Sequence, residues 1–261
     1  MRIACVGDNC IDQYDDLGKE SPGGNPVNVA VYAKRLGFDS SYIGAVGDDG
    51  YGELIVSAIR SKGVDVSHVR TVHGSSTVSH VTMKDGERIF GDYDEGVMAD
   101  FRPTEEDIDF MCGHDMVVTD LWGHSEEALE EIHKRGIPVA FDASERPFAD
   151  VSIVAAPWTD LFFFSDDDSS DEEIVRILKK IHETGPKVVI AMRGSEGSMA
   201  YDGKSFFRFG TVPCEVVDTL GAGDSYVAGF ITAWLEKEPI PECMRSGAEN
   251  ASSTIGYFGA W

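Results

Sequence analysis

The chain has 261 residues, 22 of them basic and 46 acidic, for a formal net charge of −24. That charge repels phosphate backbones, and the doublets Lys34-Arg35, Lys134-Arg135 and Lys179-Lys180 lie within helical patterns, so nucleic acid is not an expected partner. A hydrophobic content of 42% supplies a core and excludes global disorder, and no apolar run approaches the roughly 20 residues of a membrane span. Five cysteines without a CxxC pair argue against a disulfide framework or structural zinc; buried, reduced thiols in a cytoplasmic protein are expected.

In chain order, residues 2–7 read as a short buried strand. Asn25 is the expected N-cap of a helix with Pro26 at its first position, running to Leu36 and stopped by Gly37. A strand over 41–46 and a helix over about 50–62 follow. Residues 68–92 change texture: short valine-rich runs are broken by Gly74-Ser75-Ser76 and by Asp85-Gly86, a type I′ turn signal. They read as antiparallel strands projecting from the main sheet. Alternation then resumes with strand 115–119, helix 125–135, and strands 138–141 and 160–164. Ser170 and Glu173 have capping-box spacing at the head of helix 170–183. Strand 187–192, a hairpin at Asp202-Gly203 and helices 222–236 and 241–255 complete the chain. Repeated β-then-α units predict one α/β domain over 1–261, a mainly parallel sheet between helices, whose ligands bind at the carboxyl ends of strands.

The sharpest motif is Asp218-Thr219-Leu220-Gly221-Ala222-Gly223-Asp224, directly before a helix. Glycines flanking an alanine let consecutive amides converge on an anion, and the helix dipole adds positive potential there. Asp224 at that mouth is either a helix cap or a general base that deprotonates an attacking hydroxyl.

Gly221-Ala222-Gly223-Asp224 after Asp218-Thr219, together with Gly23-Gly24, Asn28 and Ala30, resembles the two signatures of the ribokinase (phosphofructokinase-B-like) sugar kinases, over the whole chain. The resemblance implies a ribokinase-like three-layer α/β fold with a small β lid, expected mainly from residues about 10–20 and 68–95. It implies an ATP-dependent carbohydrate kinase in which Asp224 is the base and Gly221, Ala222 and Gly223 cradle the phosphoryl group. Asp12, Gly23, Gly24 and Asn28 would hold the sugar; Gly194, Gly197, Thr219 and Asn250 would meet ATP. Magnesium (Mg2+) would be reached through water from Asp168, although Ser165 stands where the family commonly has Asn. A monovalent cation would sit near Asp218. Homodimers through the lid are common in such families.

Gly7–Asp12, Gly23–Tyr32, Phe90–Met98 and Gly259–Trp261 resemble most the branch that phosphorylates the 6-hydroxyl of a fructosamine, an Amadori adduct of sugar and amine. Asp92, with Asp94 and Glu95, would then read the amino-acid end, or be plain surface charge. Trp122-Gly123-His124 is either a substrate contact or packing at a strand end. A kinase for another ketose or a nucleoside, and a non-catalytic sugar or nucleotide sensor, remain alternatives.

Overall fold

The computed structural model describes residues 1–84 and 87–261, with backbone alone at 83, 84 and 87–90. In chain order the strands and helices are β1 (Arg2–Val6), β2 (Cys10–Tyr14), β3 (Lys19–Gly23), α1 (Asn25–Arg35), β4 (Asp39–Gly47), α2 (Gly50–Ser61), β5 (Asp65–Val72), β6 (Val78–Lys84), β7 (Glu87–Asp94) and α3 (Glu105–Met111). There follow β8 (Met116–Asp120), α4 (Leu129–Lys134), β9 (Val139–Asp142), α5 (Asp150–Ala155), β10 (Leu161–Ser165), α6 (Asp171–His182), β11 (Val188–Met192), β12 (Ser198–Tyr201), β13 (Phe206–Phe209), α7 (Ala222–Leu235) and α8 (Ile240–Thr254).

Nine strands form one sheet in the order β13-β12-β11-β10-β9-β8-β1-β4-β5. All its pairs are parallel except those of β12 and β13, where the Asp202 carboxylate closes the turn by accepting from the Lys204 and Ser205 amides. Strands buried on both faces read as continuous apolar runs, as in Leu161–Phe164 and Val188–Met192. One face packs on α1, α2, α7 and α8 through Val27, Val31, Ile55, Phe230 and Met244. The other packs on α3 to α6 through Met111, Ile132, Ala155 and Leu178. The result is the expected helix–sheet–helix sandwich.

A second, four-stranded sheet has the order β3-β2-β6-β7, antiparallel at its outer pairs and parallel between β2 and β6. This corrects the expectation for residues 68–92: 65–72 form β5, an edge strand of the main sheet running parallel to β4. Its half-exposed, polar composition mimics a projecting strand because an edge strand is covered less completely than a central one. The turn signal Asp85-Gly86 lies outside the described residues.

Other differences are local. The helix expected over 125–135 is a 3-10 turn (Glu126–Ala128) followed by α4. Ser170 caps α6 by accepting from the Glu173 amide. Cys5, Cys10 and Cys243 are buried as expected, whereas Cys112 is half-buried and Cys214 exposed. No helix among the described residues is long and apolar enough to cross a membrane.

Candidate active site

The carboxyl ends of β1, β8 and β9 are adjacent in the sheet, and each ends in or runs into an acidic residue: Asp8, Asp120 and Asp142. The N-termini of α1 and α7 meet over them. The N-cap of α1 is Gly24, not Asn25. Asn25 is instead the first helical residue, and its side chain is committed elsewhere: Nδ2 donates to Asp142 Oδ2 (2.8 Å) and to Asp224 Oδ1 (2.7 Å). One turn on, Asn28 Nδ2 donates to Asp224 Oδ2 (2.6 Å). Both oxygens of Asp224 are thus held by α1, across almost the whole length of the chain.

Asn28 is itself held. Trp261 Nε1 donates to Asn28 Oδ1 (2.6 Å), which fixes the amide so that its NH2 group faces Asp224. Trp261 is carried by the preceding residue, whose carbonyl accepts from the Tyr32 and Tyr257 hydroxyls.

The glycine pair before α1 has a steric reason. A Cβ on Gly23 would lie 2.5 Å from Asp12 Oδ2, and one on Gly24, at φ 108°, would lie 2.6 Å from Asn9 Cα. The pair therefore lets the chain close onto Asp12 and the Asp8-Asn9 turn. Asp12 is buried, with Cys10 Sγ 3.6 Å from its Oδ1. At α7, the N-cap Gly221 is left-handed, at φ 73°, as a residue with a Cβ would adopt only at a cost. Of the amides that follow, that of Ala222 donates to the Thr219 carbonyl (3.2 Å), while those of Gly223 and Asp224 belong to the first turn, which carries the positive end of the dipole.

Five carboxylates, Asp8, Asp12, Asp120, Asp142 and Asp224, feel one another in this cleft. Burial pushes Asp224 up to about 7; the Asn28 hydrogen bond opposes this, and Asp142, Asp8 and Asp12 add to it. Burial raises Asp8 to about 6 against hydrogen bonds from the Tyr93 hydroxyl and the backbone N–H of Asn25. Asp120 and Asp142 are raised by burial too, and Asp8 and Asp142 push Asp120 further. A base matched to neutral pH is what proton abstraction from an alcohol requires.

The remaining expected residues lie along a second stretch. Gly223 sits near Met192, the last residue of β11, from which Gly194–Glu196 turns away. Gly194, at φ 47°, lies against the Asp167 carboxylate, and Asp168 is exposed beside it. Gly197 has no room for a side chain, since a Cβ would lie 2.2 Å from the Phe209 carbonyl oxygen. Thr219 is exposed ahead of α7, while Asn250 of α8 donates to the Ser225 carbonyl and ties the two helices together. Asp218 accepts from the Leu220 and Gly259 amides. Asp92 is exposed on β7, next to Tyr93, whose hydroxyl donates to Asp8, and beside the irregular pairing of β7 with β6.

Asn25, Asp142, Asp8, Asp120, Tyr93 and Trp261 are site residues that motif reading passed over. For Asp8, Asp120 and Asp142 the available signal was positional: acidic residues at or just past the carboxyl ends of mostly apolar strands.

The model of the pfkB family of carbohydrate kinases matches residues 15–261. The chain belongs to that family. Among its relatives, fructoselysine 6-kinase of Shigella flexneri is 42% identical over 99% of both chains. A fructosamine kinase of Bacillus subtilis (strain 168) is 36% identical over 100% of this chain and 93% of its own. The fold of this pfkB-family kinase superposes on Arabidopsis thaliana ribokinase, solved with ribose and ATP, with a TM-score of 0.85 at 21% identity, over 99% of this chain and 93% of that one. The chain is therefore a kinase of the carbohydrate class by family and by its relatives.

Proposed function

We propose that this kinase transfers the γ-phosphoryl group of ATP to the 6-hydroxyl of a fructosamine such as fructoselysine. The reading is carried by Asp224, a carboxylate held by two amides at the mouth of α7 with its proton affinity raised to about 7. It is supported by relatives named for fructoselysine and fructosamine that span nearly the whole chain.

Asp224 takes the proton of the 6-hydroxyl as that oxygen attacks. The O6–P bond forms, the bond from phosphorus to the β–γ bridging oxygen breaks with its electron pair, and ADP leaves. The amides of Gly223 and Asp224 stabilise charge on the transferring group, while the Ala222 amide, which donates to the Thr219 carbonyl, holds the turn that presents them. Asp12 accepts from sugar hydroxyls, and Asn28 divides its amide between base and sugar. Gly194, Gly197, Thr219 and Asn250 line the nucleotide end.

The described residues contain no group of three potential ligands able to grip a metal directly. The exposed Asp168 beside Asp167 instead suits a hydrated Mg2+, held through its water, which would neutralise phosphate charge. A monovalent cation is assigned to the loop that Asp218 braces. We also infer a homodimer joined through the small sheet, whose edge strands β3 and β7 present unpaired backbone.

The test is Asp224→Asn: ATP and sugar binding persist while turnover of fructoselysine falls by about 10²–10⁴-fold, read by ADP release. Near-normal turnover in that variant would end the assignment.

A further inference from the structure

A group of side chains beside the phosphoryl-transfer machinery has no part in the chemistry above. It joins the end of β8 to the end of β7. The Tyr93 hydroxyl donates to Asp8 Oδ1 (2.7 Å), and Glu95 pairs with His124 Nε2 (3.1 Å). The rings of Tyr93 and Trp122 lie 6.1 Å apart at 49°, and the Arg146 guanidinium is 5.5 Å from the Trp122 ring. Asp8 and Asp120 are 7% and 2% exposed, whereas Tyr93 and Trp122 are open at 39% and 40%. Neither oxygen of Asp120 accepts a hydrogen bond of ordinary geometry among the described residues, although the nearby Trp122 amide favours its charged form. Its carboxylate lies between Gly7 and Gly123, with Asp8 and Asp142 as charged neighbours. No lysine or arginine among the described residues pairs with Asp8 or Asp120.

Two buried carboxyl groups that no lysine or arginine pairs with among the described residues hold their protons more tightly than usual, and a cation placed between them favours their ionised forms. Open aromatic rings beside them are the surface on which alkylammonium groups rest. We propose that Asp8, Asp120, Tyr93 and Trp122 form a subsite for an alkylammonium group, the protonated secondary amine that a fructosamine carries on C1. The carboxylates supply the counter-charge, Tyr93 orients Asp8, and Trp122 packs on the methylenes flanking the nitrogen. A neutral ketose leaves the two carboxylates uncompensated, so the subsite selects amine adducts over free sugars. The Trp122-Gly123-His124 turn then has a binding role beyond packing. This inference rests on the fructosamine reading, but the two fail separately.

Turnover of fructoselysine and fructose is compared for the parent, Asp8→Asn and Trp122→Leu. The preference, the ratio of kcat/KM values, should drop about 10- to 100-fold in Asp8→Asn, the worth of one charge-assisted contact. A smaller drop is expected in Trp122→Leu. A ratio that stays fixed, whether both rates fall together or neither moves, overturns the subsite. Should the parent fail to phosphorylate fructoselysine, the functional reading falls, and the subsite is decided by calorimetry with 1-amino-1-deoxyfructose. Tighter binding than fructose, abolished in Asp8→Asn, upholds it; equal binding of the two sugars sinks it.

Discussion

With Asp224 as the base proposed above, its burial sets how activity depends on pH. The group must be ionised to accept a proton, and burial keeps it protonated up to about 7. The kcat/KM of the free enzyme should therefore rise with pH along a limb centred near 7, which a rate profile from pH 5 to 9 would show. Asn28 lowers that value by donating to Asp224, and it can do so because Trp261 holds its other end. Trp261→Phe keeps the ring and removes the donor. The Asn28 amide is then free to flip, the limb should move to higher pH, and the rate at pH 7 should fall several-fold. A lower melting temperature with an unmoved limb would reduce Trp261 to packing.

At the scale of elements, the glycine signatures were legible because their chemistry is local. A left-handed N-cap at Gly221 and a tight turn at Gly24 each need glycine whatever surrounds them. Long-range partners were not legible in this way. Asn25 next to Pro26 has the composition of an N-cap, yet its amide bridges Asp142 and Asp224, residues distant in sequence that only the folded sheet brings near. Likewise β5 and the strands of the small sheet are all partly polar, and only pairing tells them apart; α3 and α5 are too short to display a periodic stripe. The steric role of the glycines is checkable: Gly24→Ala places a Cβ 2.6 Å from Asn9 Cα at φ 108°. It should cost about 1–3 kcal/mol by denaturant unfolding, with the loss of sugar affinity exceeding that of ATP affinity.

Across the whole molecule, the acidic cleft opposes stability. Asp224 ionises near 3.8 in the unfolded chain and near 7 when folded. Between those values the unfolded state binds fewer protons, so its contribution to stability falls as pH rises, with the full penalty present above about 7. Asp8, Asp120 and Asp142 shift the same way, and the set titrates jointly. Removing one charge should relieve part of this. The melting temperature of Asp224→Asn, relative to the parent, should climb between pH 5 and pH 8; a pH-independent difference would contradict the raised value. If β3 and β7 mediate pairing, sedimentation should give about twice the 28.4 kDa of one chain.

The order in which the parts are encoded bears on synthesis. Every strand of both sheets is complete by Phe209, whereas the base, its amide cradle and Trp261 all come later. A chain that has delivered every strand has therefore not yet delivered α7 and α8, so part of one face of the main sheet stays bare until the same last segment that brings Asp224 and Trp261 has been made.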